Sequence, residues 1–185
     1  MKNTFFLIFT LLTFNFTFAQ NDDWVTTKDF EKGYKIDFPS KPTSQMQPIP
    51  TAIGEIEMYM YILDNSAKVD AKNLVFMTAY TEYPLASFGD EDINSETLQD
   101  NLLDSSVSGA VSNVKGDLIS SSHIKFNGYN ARNAKIEVAG GFYIIMKTIL
   151  VQNKLYMIQV IHNKSYDGNQ EAKHFFDSFE LIKTN

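Results

Sequence analysis

The sequence predicts an α+β fold: one antiparallel β-sheet covered by helices on both faces. Three observations carry the prediction. In the C-terminal half, four strand-like runs are joined by Asn127-Gly128, Gly140-Gly141 and Gln152-Asn153-Lys154. Connections this short force antiparallel neighbours, because a parallel crossover needs a dozen or more residues. Two of those runs, Phe142 to Val151 and Leu155 to His162, are apolar at odd and even positions alike, so both faces of the sheet must be covered. A long amphipathic helix supplies one cover.

The elements follow in order. Trp24 to Thr27 and Tyr34 to Phe38 read as strands around the Glu31-Lys32-Gly33 turn. Pro39, Pro42, Pro48 and Pro50 mark an irregular crossing segment, since proline removes ladder donors. Glu55 to Leu63 alternates, with Ile56, Met58, Met60 and Ile62 on one side and Glu57, Tyr59 and Tyr61 on the other. After the polar turn at Asn65-Ser66, Leu74 to Tyr83 forms the next strand, which Pro84 stops. Asn94 or Ser95 caps a long helix, and Glu96 in its first turn suits the helix dipole. Leu98, Leu102, Val107, Ala110, Val111 and Val114 make one apolar stripe, and Gly116 follows where a positive φ ends a helix. Leu118 to Phe126 and Tyr129 to Val138 flank Asn127-Gly128, the strongest short hairpin signal. The last elements are a helix from about Asn169 to Asp177, carrying Ala172, Phe175 and Phe176, and a short strand within Phe179 to Ile182.

Composition bounds the function. The 185 residues are 44% hydrophobic, contain no cysteine and carry a formal net charge of −6. That is an ordinary globular composition, neither disordered nor disulfide-rich. Acidity and a single arginine, Arg132, argue against a nucleic-acid partner, whose phosphates demand a basic face. At the N-terminus, Lys2 precedes an apolar run from Phe5 to Phe18, and Thr17-Phe18-Ala19 precedes Gln20. This is the layout of a cleaved secretory signal over residues 1–19, and the run is too short to span a bilayer. No cysteine follows it for lipid anchoring. The expectation is a single domain over 20–185, secreted or periplasmic, with no integral membrane segment in the mature chain.

The run Gly33-Tyr34-Lys35-Ile36-Asp37-Phe38-Pro39 is similar to the Gly-aromatic-x-aliphatic-x-aromatic-Pro opening of PsbP-like proteins. The resemblance continues through the central helix, the hairpin at Asn127-Gly128-Tyr129 and the closing Phe175-Phe176-Asp177-Ser178-Phe179. It covers nearly the whole mature chain. It implies an α-β-α sandwich, with the C-terminal aromatic helix packed back on the sheet, and a non-catalytic scaffolding or binding role. The superfamily includes an extrinsic photosystem II subunit, a Ran-binding nuclear-import factor and bacterial secreted proteins. No partner-binding residue of the first two has a counterpart here.

The chemistry-bearing residues point the same way. No cysteine and no Gly-x-Ser-x-Gly elbow is present. Ser122 and His123 are adjacent strand residues on opposite faces; Ser121 shares a face with His123, but no acid accompanies them. His123, His162 and His174 lack metal-ligand spacing. Asp90-Glu91-Asp92-Ile93-Asn94-Ser95 starts like a calcium loop, but its sixth position is Ser95 instead of glycine and its twelfth is Asn101 instead of glutamate. Segment 90–96 therefore reads first as an acidic cap for the helix that follows. Aromatic residues make up 14% of the chain. Tyr59, Tyr61, Tyr80 and Tyr83 are the candidates for a sugar- or peptide-binding face, although core packing and strand preference account for such rings equally well. The expected function is a non-catalytic binding or accessory domain for a protein or small-molecule ligand, with no catalytic residue, metal or cofactor. The alternatives are a hydrolase using His123 or His162 with carboxylates, and a structural envelope protein.

Overall fold

The computed structural model describes residues 24–51 and 54–182, so the export segment lies outside the described residues. In chain order the elements are β1 (Val25–Asp29), β2 (Tyr34–Phe38), β3 (Thr43–Thr51), β4 (Gly54–Asp64), β5 (Asn73–Glu82), α1 (Glu96–Val114), β6 (Asp117–Phe126), β7 (Tyr129–Val138), β8 (Phe142–Val151), β9 (Lys154–Asn163), α2 (Gln170–Asp177) and β10 (Glu180–Leu181). Short 3-10 turns occupy Leu85–Phe88 and Lys164–Tyr166. Seven strands form one antiparallel sheet in the order β3-β4-β5-β9-β8-β7-β6, and β1, β2 and β10 form a second, small sheet.

The connection from β5 to β6 determines where the long helix goes. β9, β8 and β7 stand between those two strands, a distance of about 19 Å at the usual strand spacing. The chain crosses it over one face of the sheet before α1, and α1 then runs along β7, from the Gln99–Asn130 hydrogen bond to Gly116 beside Glu137. Val107 packs with Ala134, Ile136, Ile144 and Met146. Leu103, fully buried, packs with Leu150 and Leu155. The opposite face is covered by the small sheet with α2 in one aromatic cluster. Tyr34, Ile36 and Phe38 of β2, Ala172 and Phe175 of α2, and Phe179 meet Phe76, Tyr80, Tyr156, Ile158 and Val160 of the main sheet.

Both faces are thus covered, as the apolar runs of β8 and β9 require. The second cover, however, is a mixed layer built largely from the small sheet, not a helical layer. The reason lies in hydrogen bonding: β1 and β2 form a hairpin that lacks a third strand, and the chain end supplies it, Glu180 and Leu181 pairing with Lys35 and Tyr34.

Three local readings change. The proline-punctuated segment is a regular edge strand, β3, with Pro48 opposite Glu57 and Pro50 opposite Glu55. The two prolines share parity, so their missing donors fall on one side, and an edge strand tolerates that on its solvent side. At the end of α1, Lys115 takes the left-handed conformation (φ 51°) expected of Gly116. Gly116 is needed for close approach instead: a Cβ there would lie 2.5 Å from the Glu137 carbonyl oxygen and 2.8 Å from Ile136 Cγ2. At its start, Ser95 occupies the cap position without a side-chain hydrogen bond. By contrast, Asn127 (φ 50°) and Gly128 (φ 88°) form the tight hairpin turn that their types demand.

Candidate functional site

The apolar residues of α1 form two stripes. Leu103, Val107 and Val111 sit on β7, β8 and the start of β9. Beside them, Leu98, Leu102, Ser105, Ser106, Gly109, Ala110, Asn113 and Val114 face a cavity of about 710 Å³. Its floor is the uncovered half of the same sheet face: Met58 of β4, Met77, Ala79 and Thr81 of β5, and Leu155, Met157 and Gln159 of β9. Tyr83, Phe88 and Glu91 close one end, and Ile49 and Pro50 of the edge strand flank it.

A buried ion pair holds the helix over only half the face. Arg132 on β7 is 1% exposed. Its Nε donates to Asp104 Oδ1 at 2.7 Å and its Nη2 to Asp100 Oδ1 at 2.9 Å. Asp100 and Asp104 are one helical turn apart, so one guanidinium grips one side of α1. Burial pulls the Arg132 pKa down, but the hydrogen bonds and charges of Asp104 and Asp100 outweigh it and the net shift is upward. Because the anchor lies on β7, the far side of the helix stands away from β5 and β4. The cavity follows from that offset.

Its lining suits an apolar ligand. Three of the seven methionines, Met58, Met77 and Met157, lie on the floor, and their unbranched side chains adapt to irregular shapes. Among the described residues no lysine, arginine or histidine lines it, and Glu91 at the rim is the one charged group. Tyr83 is half-buried, and burial raises its pKa. The volume falls within the range usual for small-molecule sites.

The four candidate tyrosines are divided between the faces. Tyr59, Tyr61 and Tyr80 lie beneath the small sheet: Tyr80 is buried and donates to Glu82 at 2.7 Å, and Tyr61 donates to Asp29 at 3.2 Å. Tyr59 donates to Glu57, and its ring lies 4.0 Å from Lys32 Nζ. Tyr83 alone reaches the cavity on the other face.

The histidines are dispersed as well. His123 is exposed on β6 at the mouth of a small recess of about 210 Å³ beside Arg132 and Asp100. Its Nδ1 is 3.9 Å from Asp100 Oδ1, so an acid invisible in the sequence is nearby, but Asp100 is bonded to Arg132. His162 is 1% exposed, with Nδ1 2.9 Å from the Asn163 carbonyl and Nε2 3.8 Å from Asp167, which Lys135 engages. His174 on α2 packs against Trp24 with the rings tilted by 51° and 4.2 Å between centroids. In the acidic segment, Asp92 Oδ1 accepts from the Asn94 backbone N–H at 2.9 Å, a local turn before α1. Among the described residues no three His, Asp or Glu side chains gather as metal ligands, and no helix is long and apolar enough to cross a membrane.

No family model and no curated protein sequence matches the chain. Among solved structures it is similar to the cyanobacterial PsbP (CyanoP) of Synechocystis sp. PCC 6803, with 11% identity and a TM-score of 0.49, over 86% of this chain and 92% of that one. It is also similar to PA94 of Pseudomonas aeruginosa, a protein of unknown function, with 9% identity and a TM-score of 0.31, over 77% of this chain and 84% of that one. At these scores neither likeness fixes a function for this chain.

Proposed function

We propose that this chain is an exported, non-catalytic, PsbP-like binding protein that holds an apolar small molecule between α1 and the β4-β5-β9 half of the sheet. The observation that carries the reading is the cavity of about 710 Å³, whose floor and helix wall are mainly apolar and whose single charge lies at the rim. A cavity of this size and lining is the usual form of a ligand site. The export reading rests on the Lys2, Phe5 to Phe18 and Thr17-Phe18-Ala19 pattern. The PsbP-like reading rests on the Gly33 to Pro39 motif, whose Tyr34, Ile36 and Phe38 are buried. A non-catalytic role is supported by His162 being buried and by the carboxylate beside His123, Asp100, being bonded to Arg132.

The test is native mass spectrometry on the mature protein isolated gently from its own envelope. The expected result is a one-to-one small-molecule adduct that organic extraction removes, with a fall in melting temperature after removal. Protein with no adduct, and no thermal shift when a total lipid extract is added back, would overturn the reading.

A further inference from the structure

The shape and polarity of the cavity narrow the ligand class, an argument that rests on the binding reading above. Along α1 the lining runs from Leu98 to Val114, about 24 Å at 1.5 Å per residue. Along β5 and its end it runs from Met77 to Tyr83, about 20 Å at 3.3 Å per residue. Across the strands the floor from β4 to β9 is about 10 Å wide, so the space is a trough about twice as long as it is wide. It suits an extended hydrocarbon better than a compact ring system.

Polarity sets the head group. Gln159 lies on the floor between Met77 and Met146, its register partners on β5 and β8. It is half-buried, and among the described residues its side-chain amide has no protein hydrogen bond. The amide offers a donor and an acceptor together, which matches a hydroxyl or ester better than an ion. A carboxylate in this cavity would be desolvated without a cationic partner, a costly arrangement, and Glu91 at the rim would repel it. We infer that the cavity takes an uncharged single-chain lipid whose hydroxyl- or ester-type head group hydrogen-bonds to Gln159.

The mature protein is incubated at about pH 8, where a fatty carboxylate is ionised, with equimolar 1-oleoylglycerol, oleate and cholesterol, and adducts are counted by native mass spectrometry. The expected result is a one-to-one oleoylglycerol adduct favoured over oleate by about tenfold, corresponding to about 1.4 kcal/mol, with no cholesterol adduct. Gln159→Leu should lower oleoylglycerol occupancy several-fold. Gly109→Phe should abolish it without lowering the melting temperature, since a Cβ at Gly109 meets no atom within 4 Å and glycine is the poorer helix former. Dominance of oleate or cholesterol would overturn the inference and leave the binding reading standing. So would oleoylglycerol binding unchanged in Gly109→Phe, because the lipid would then lie elsewhere. Absence of any adduct with all three would overturn the binding reading and, with it, this inference.

Discussion

The two faces of the seven-stranded sheet are covered on different terms. Beneath the small sheet the packing is dry and aromatic. Tyr34, Phe38, Phe76, Tyr80, Tyr156, Phe175 and Phe179 are all buried, and their rings meet at angles and centroid distances typical of edge-to-face pairs, such as 4.9 Å for Phe38–Phe175 and 5.3 Å for Tyr80–Tyr156. Beneath α1 the buried contacts fall into two smaller clusters, and half of the sheet face is left to a cavity. The two faces differ in kind: one is packed throughout by aromatic rings, while the other leaves apolar surface uncovered beside α1.

Alkaline titration gives the largest expected effect, and it belongs to the aromatic face. Burial pushes the Tyr156 hydroxyl up to about 12 from an ordinary value of 10.0. Burial also raises Tyr34, against a partly opposing hydrogen bond from Thr78, and it raises Tyr80, where the bond to Glu82 adds to it. Unfolded chains release these protons near pH 10, while the folded protein retains them, so the unfolded state binds fewer protons and stability falls with rising pH. Lys147, lowered by burial, acts in the opposite sense, but it is one group against several tyrosines, since Tyr61 and Tyr83 are raised by burial as well. Stability should therefore hold up to about pH 10 and collapse by about pH 12, with tyrosine ionisation and loss of circular dichroism in one transition. Ionisation of these tyrosines well before unfolding would break the picture of a dry face.

Truncating the same core comes next. Phe179→Ala should cost about 3 to 5 kcal/mol through lost transfer energy and a cavity, read as a large drop in the urea midpoint. Asp177→Ala, which removes an exposed pair with Lys173 and a charge near Lys147, should change that midpoint by less than about 1 kcal/mol. Equal, small effects would mean that the C-terminal segment is not core.

On the α1 face the anchor can be broken from either side, and the two ways should differ. Asp100→Asn with Asp104→Asn leaves Arg132 buried and uncompensated and should cost about 2 to 4 kcal/mol. Arg132→Met leaves two carboxylates that are partly exposed and free to hydrate, and should cost less by chemical denaturation. The reverse order would show that the pair does not seat the helix.

The smallest effect is expected on the cavity floor. Met77→Leu conserves volume beside an open space and should shift stability by less than about 1.5 kcal/mol. A loss as large as that of Phe179→Ala would sharpen the comparison the other way, by showing a floor that is as tightly packed as the opposite face.

Local rules made much of this legible. Asn127-Gly128 sets a hairpin because both residues accept positive φ, and the double-sided apolar runs of Phe142 to Val151 and Leu155 to Ile161 require two covers whatever the rest of the chain does. The α1 stripe was legible as an apolar surface but not as two surfaces. Leu103, the most deeply buried residue of the helix, lies outside the six-residue pattern because periodicity shows which residues are apolar, not which neighbour each one meets. The tyrosines illustrate the same limit: alternation puts Tyr59 and Tyr61 on one face, but only strand pairing puts Tyr80 opposite Tyr59 and Tyr83 across the sheet.

What the sequence by itself determined, then, is every element but β3 and the antiparallel pairing in the C-terminal half, because turn chemistry and the two periods act within a few residues. The tertiary structure decided the rest of the architecture and all of the site. The third strand of the small sheet pairs the chain end with Tyr34 and Lys35, nearly the whole chain away. Arg132 meets Asp100 and Asp104 across sequence separations of 32 and 28 residues. The cavity exists because that anchor sets α1 over one half of a face, and no local pattern records where a helix comes to rest. An offset of a few ångströms between packed layers is a property of the whole fold, and in this protein that offset leaves the cavity.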